Sequence, residues 1–136
     1  MRYMLLVYTK ENETRQSPEN TQEIMAGHWA VIDETTKRGI FRAAEPLQAT
    51  QSATTVRVQN GKLLIIDGPF AETKEQLAGY YILDCQDLNE AITWAAKIPT
   101  GCGGAAGCIE VRALRELPPR PSLSKRDPEY AGALNG

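Results

Sequence analysis

Two strand-helix-strand blocks, residues 2–47 and 78–114, constrain this chain more than any other feature. A helix that carries the chain between two strands of one sheet must cross one face of it, and the crossing has a fixed hand. In the first block RYMLLVYT (2–9) is β-branched, aromatic and aliphatic, and it stops at the polar KENETRQ as a strand does before a loop. Ser17-Pro18-Glu19 then supplies an N-cap hydroxyl, a proline at the first helical position and an acid in the first turn. Lys37-Arg38-Gly39 supplies the cations and the glycine of a helix end, so a helix is expected over 18–38. GIFRAAEPL follows as a short strand ended by Pro46.

The second block has the same order. AGYYILDC is a strand, and Asp87 caps LNEAITWAAKI, whose Leu88, Ile92, Ala95 and Ala96 keep helical spacing up to Pro99. GCIEVRAL is the last strand. Between the blocks, TTVRV-QNGK-LLIID is a hairpin with Asn60-Gly61 at its turn. The expected fold is α+β: a ferredoxin-like βαβ-βαβ sandwich with an inserted β-hairpin and both helices on one face. Tyr80 and Ile82 alternate with Tyr81 and Leu83, so both sheet faces carry apolar residues, and the uncovered one calls for a homodimer packed sheet to sheet. After residue 114 the Pro-rich stretch 115–136 has no period and reads as a flexible or wrapping tail, with Tyr130 and Leu134 available to dock on a neighbour.

Charge narrows the partners. With 15 basic and 17 acidic residues the net charge is −2, which offers no field to a nucleic-acid backbone. No stretch reaches the ~20 apolar residues of a membrane span, and MRYMLLVY lacks the flanks of a signal peptide, so a cytoplasmic protein is expected. Cys85, Cys102 and Cys108 match no usual zinc spacing, and a four-ligand site would need all three with the one histidine; no metal and no cofactor are expected. Cys85 falls in a strand and reads as a small buried hydrophobe, whereas Cys102 sits in GCGGAAG, a glycine-rich loop without the Lys and Thr of a phosphate loop.

The chemistry-bearing candidates each have two readings. His28 lies inside the apolar arc of Ile24, Met25, Val31 and Ile32, so it faces the sheet, either as a satisfied core histidine or as a general acid or base. Asp67 ends LLIID at a corner stiffened by Gly68-Pro69; it either closes an Asx-turn or holds a carboxylate rigidly toward His28 or a substrate. Glu72, Lys74 and Glu75 read as a solvated run or as flanks of a small polar substrate, and Thr73 with Gln76 fits a capping box. Arg112 shares a strand side with Glu110, as an ion pair or as an anchor for a substrate carboxylate. The hydroxyls of Tyr80 and Tyr81 can line a pocket or merely pack.

MRYMLLVY, the hairpin through DGPFAETKEQLAGYYIL, DLNEAITWAAKIP and IEVRAL together resemble the YCII-related proteins of the DGPF subgroup over residues 1 to about 114. The resemblance implies a ferredoxin-like subunit in a dimeric α+β barrel. It also implies an acid/base pair of a helix-one histidine and a strand-end aspartate, here His28 and Asp67; the substrate-binding candidates Glu72, Tyr80 and Arg112 come from the residues themselves. Most members are uncharacterised bacterial proteins; a relative removes halide from a product of aromatic ring cleavage, and others resemble products encoded beside extracytoplasmic-function sigma factors. GCGGAAGC and the tail beyond Arg115 depart from the pattern. Two functions follow: a small-molecule enzyme with lyase, isomerase or dehydrochlorinase-type chemistry, or a non-catalytic ligand-binding or sigma-factor-linked accessory module.

Overall fold

The computed structural model describes residues 1–11, 18–100 and 107–121. Its elements are β1 (Arg2–Thr9), α1 (Pro18–Lys37), β2 (Phe41–Pro46), a short 3-10 turn (Thr50–Ser52), β3 (Thr54–Gln59), β4 (Lys62–Asp67), β5 (Gln76–Asp84), α2 (Leu88–Ala95) and β6 (Gly107–Ala113). β2, β5, β1 and β6 form an antiparallel four-stranded sheet in that order, and β3 and β4 form a separate two-stranded one. This is the expected α+β, ferredoxin-like order with an inserted hairpin. The expected Ser17 cap, Cys102 with most of its glycine-rich loop, and Tyr130 and Leu134 of the tail lie outside the described residues.

Alternation decides what the sheet buries. Tyr3, Leu5 and Val7 on β1 and Tyr81 and Leu83 on β5 point to one side, where they join Val31 of α1 and Ala91, Trp94 and Ala95 of α2 in one core. Cys85 is part of that core, as a buried small hydrophobe should be, and burial pushes its thiol up to about 11. The register pairs Leu5 with Tyr81 and Tyr3 with Leu83, so the large side chains of the two central strands stand side by side.

The helices settle differently. The carboxylate of Asp87 accepts from the Glu90 N–H at 2.9 Å and starts α2 where the sequence places it. Its buried face is Ala91, Trp94 and Ala95, followed by Ile98, whereas Leu88 and Ile92 remain about half exposed; the expected stripe is rotated because the bulk of Trp94 takes the seat against the sheet. On α1 only the C-terminal half is tightly packed: Val31 is buried, and the buried Thr35 hydroxyl donates to the Val31 carbonyl at 2.7 Å. Met25 and Trp29, earlier on the same helix, are exposed.

The hairpin has the expected turn, with Asn60 and Gly61 both at positive φ (51° and 74°), the signature of a type I′ connection. At its base Gly68 adopts φ 100°, a conformation closed to other residues, and its N–H donates to the Ala53 carbonyl at 2.7 Å while the Thr55 hydroxyl donates to the Gly68 carbonyl at 2.8 Å. These bonds hold the corner; the Asp67 side chain closes no Asx-turn. Thr73 and Gln76 do not begin a helical turn either. Gln76 opens β5, and its amide donates to the Thr73 carbonyl at 2.6 Å. Among the described residues no helix is long and apolar enough to cross a membrane.

Where β2 ends, the chain crosses closely over β5. A Cβ on Gly79 would lie 2.8 Å from the Glu45 carbonyl oxygen and 3.2 Å from Pro46 Cα, both backbone atoms. Gly79→Ala is therefore expected to destabilise the fold by about 1–3 kcal/mol. Urea unfolding of the two proteins checks this, and an unchanged midpoint would refute the crossing.

Candidate functional site

The looseness of α1 opens a cavity. The C-terminal half of the helix is tied to the core through Val31 and Thr35, and its N-terminal half stands off the sheet, so a space of about 810 Å³ remains between Ile24, Met25, His28 and Trp29 above and β1, β2 and β5 below. Val7, Tyr81 and the bare main chain at Gly79 form part of the floor, and Leu47, Pro99 and Thr100 close the sides. A volume of this size suits an organic small molecule, and the walls are mainly apolar with a few polar groups. β5 carries a bulge here, since the β1–β5 register shifts between Val7 and Tyr8. Ala78 borders the cavity beside that irregularity, and bulges of this kind commonly re-aim side chains near sites.

His28 projects from α1 into this space and meets Tyr81 of β5. A hydrogen bond of 2.5 Å joins His28 Nδ1 to Tyr81 Oη, and the two rings lie nearly parallel, 15° apart with centroids separated by 5.9 Å. Burial lowers the imidazole from its ordinary value, because a half-enclosed apolar wall disfavours the cation. Burial also pushes the Tyr81 phenol up to about 12, so near neutrality the pair consists of a neutral imidazole and a neutral phenol. Such a pair has two proton arrangements. With Tyr81 donating to Nδ1, Nε2 carries hydrogen and is a donor; with Nδ1–H donating to Tyr81, Nε2 carries a lone pair and is a base.

The remaining candidates divide. Tyr80 borders the cavity, but alternation turns its side chain to the face opposite Tyr81, so its contribution is its main chain. Asp67 lies on the exposed hairpin, does not border the cavity and has no described side-chain hydrogen bond; within one chain the partner of His28 is Tyr81. The reason is that β3 and β4 pair only with each other, so their base is not drawn toward α1. Glu72 is exposed in the connection to β5, and Arg112 pairs with Glu110 at 3.2 Å on β6, the ion-pair reading of that residue. Both lie away from the cavity. Glu75 of the same charged run is not simply solvated: its carboxylate accepts from Cys108 Sγ at 3.3 Å, and burial with that contact pushes the thiol up.

Sequence pointed neither to Tyr81 as the partner of His28 nor to Glu11 at all. Tyr81 was the less favoured of adjacent tyrosines, yet it shares parity with Leu83 and Cys85 and therefore the helix-facing side. Glu11 borders the cavity just past β1, where the polar KENETRQ run gives no periodic signal. Its carboxylate accepts from the Thr50 N–H at 2.9 Å and the Thr50 hydroxyl at 2.8 Å. Among the described residues no cluster of three or more His, Cys, Asp or Glu is placed to hold a metal ion.

A family model described as the YCII-related domain matches residues 1–118. An uncharacterized protein of Rhizobium meliloti strain 1021 is 36% identical over 115 residues, covering 84% of this chain and 92% of the relative.

The single histidine makes its titration directly readable by NMR. Its midpoint is expected below the ordinary 6.5. The unfolded chain then takes up the proton first, so the stability due to neutral His28 is complete above 6.5 and is lost as pH falls through the folded midpoint. Urea unfolding between about pH 7.5 and about pH 5.5 should show this loss in the native protein and a flatter profile in His28→Gln. A midpoint at or above the ordinary value would contradict the burial argument.

Proposed function

This chain belongs to the YCII-related family, and on that premise we propose that it is a small-molecule enzyme in which His28, paired with Tyr81, moves a proton during lyase, isomerase or dehydrochlorinase-type chemistry. The observation that carries this reading is the His28–Tyr81 hydrogen bond at the wall of an 810 Å³ cavity. A core histidine needs only one satisfied nitrogen; this one has its second nitrogen without a described partner beside space for a ligand. The phenol lets Nε2 act as donor in one arrangement and base in the other, so one imidazole serves both halves of a proton shift. Within the family, the Asp67-Gly68-Pro69-Phe70 corner argues for the DGPF subgroup. Free thiols at Cys85 and Cys108 suit a reducing cytoplasm.

The working unit in this reading is a homodimer. Met4, Leu6, Tyr8, Tyr80 and Ile82 alternate onto the sheet face away from the helices, and Val56, Val58, Leu63 and Ile65 share one face of the hairpin at 59–70% exposure. An unsupported two-stranded hairpin is marginal in water, and a second subunit is the simplest cover for both surfaces. Asp67 would then reach His28 only from the partner. A non-catalytic ligand-binding module is the second reading; it is favoured by the fact that Tyr81 alone already satisfies Nδ1.

With a substrate identified from a co-purified ligand or a metabolite screen, His28→Gln should lower kcat by at least about 10²-fold and Tyr81→Phe by a smaller factor. Asp67→Asn separates the two arrangements: turnover within a few-fold of native keeps the pair inside one chain, and a large loss assigns the carboxylate to the site. Full activity in His28→Gln would end the enzyme reading. Sedimentation at micromolar concentration should give twice the chain mass; a monomer would remove the dimer.

A further inference from the structure

We propose that the cavity selects a ring-sized apolar molecule carrying a protonated amine, with Glu11 as the residue that sets this preference. The inference rests on the cavity being a ligand site, and adds to it the charge of the ligand. Glu11 is held on both carboxylate oxygens by Thr50, through the backbone N–H at 2.9 Å and the hydroxyl at 2.8 Å, while its own N–H donates to Gln76 Oε1 at 3.0 Å. A carboxylate fixed in this way costs no rearrangement when a ligand arrives. Each oxygen has a second lone pair, so about two acceptor positions remain for an ammonium group.

The rest of the cavity points the same way. Among the described residues no lysine or arginine borders it. His28 is kept neutral by burial, and so supplies no positive charge near neutral pH. A ligand carboxylate would therefore enter an apolar space beside Glu11 with no counter-charge among the described lining residues, at a desolvation cost that none of them offsets. An ammonium meets the opposite situation: a fixed anion, and the exposed indole of Trp29, whose face attracts cations. The remaining acid on the border, Glu45, pairs in register with Tyr80, so its side chain belongs to the other sheet face. Ile24, Ile32, Val7 and Pro99 provide the apolar walls for the ring.

Three probes with the same ring and nearly the same length differ in charge: phenethylamine, phenethyl alcohol and phenylacetate. Calorimetric titration of the full chain at neutral pH should rank the amine first, at least ten-fold tighter than phenylacetate. In Glu11→Gln, checked for folding by circular dichroism, that advantage should collapse to within about two-fold of the alcohol. Phenylacetate binding as tightly as the amine, an unchanged ranking in Glu11→Gln, or no saturable binding of any probe would each overturn the proposal. Should Glu11→Gln fail to fold, the native ranking and its weakening by added salt decide the matter. His28→Gln distinguishes this from the catalytic reading: it should keep the amine preference even where turnover is lost. A native protein that discriminates the probes but shows no proton-transfer activity would remove only the catalysis.

Discussion

The register between β1 and β5 is the constraint on which the site depends. Leu5 stands opposite Tyr81 and Tyr3 opposite Leu83, and strand side chains alternate with a period of two. A slip by one residue would turn Tyr81 to the open face and bring Tyr80 beneath the helices, so one pairing determines which of two adjacent phenols meets the imidazole. The core fixes that pairing, because Leu5 and Leu83 are fully buried and neither is tolerated on the solvent side without losing about 2 kcal/mol of burial each.

The cavity arises from uneven attachment of α1. Val31 and Thr35 tie its C-terminal half down, whereas the side chains one to two turns earlier meet open space. Native interiors are close-packed, so a volume of about 810 Å³ left beside a well-formed core stands out as the candidate place for a ligand. Burial there acts on both members of the pair in the direction of neutrality, lowering His28 and raising Tyr81. A neutral imidazole bonded to a neutral phenol has two tautomeric arrangements, whereas a charged carboxylate partner would favour the imidazolium.

Legibility from sequence followed the range of the interactions. The order of elements, the type I′ turn, the Asp87 cap and the sheet-facing position of His28 rest on neighbours a few residues apart, and each is present. The His28–Tyr81 contact spans 53 positions and the Glu11–Thr50 contact 39, and no periodicity reports on either. The rotation of α2, which exposes Leu88 and Ile92, had the same origin: a helical wheel shows an apolar arc but not which part of it the large Trp94 ring will occupy. Asp67 was drawn to attention by a stiff corner, yet the corner is fastened by Gly68 and Thr55, and stiffness alone did not aim its carboxylate.

What the amino-acid sequence determined by itself was the α+β class, the order of elements and the side of α1 on which the imidazole lies, since these follow from hydrophobic period and local caps. Only the tertiary structure decided that the imidazole meets Tyr81, that Glu11 is fixed at the cavity wall and that Glu72 and Arg112 stand apart. The physical reason is that such choices depend on how separate elements stack in space, and a chain records its contacts to distant segments only through the packing they finally adopt.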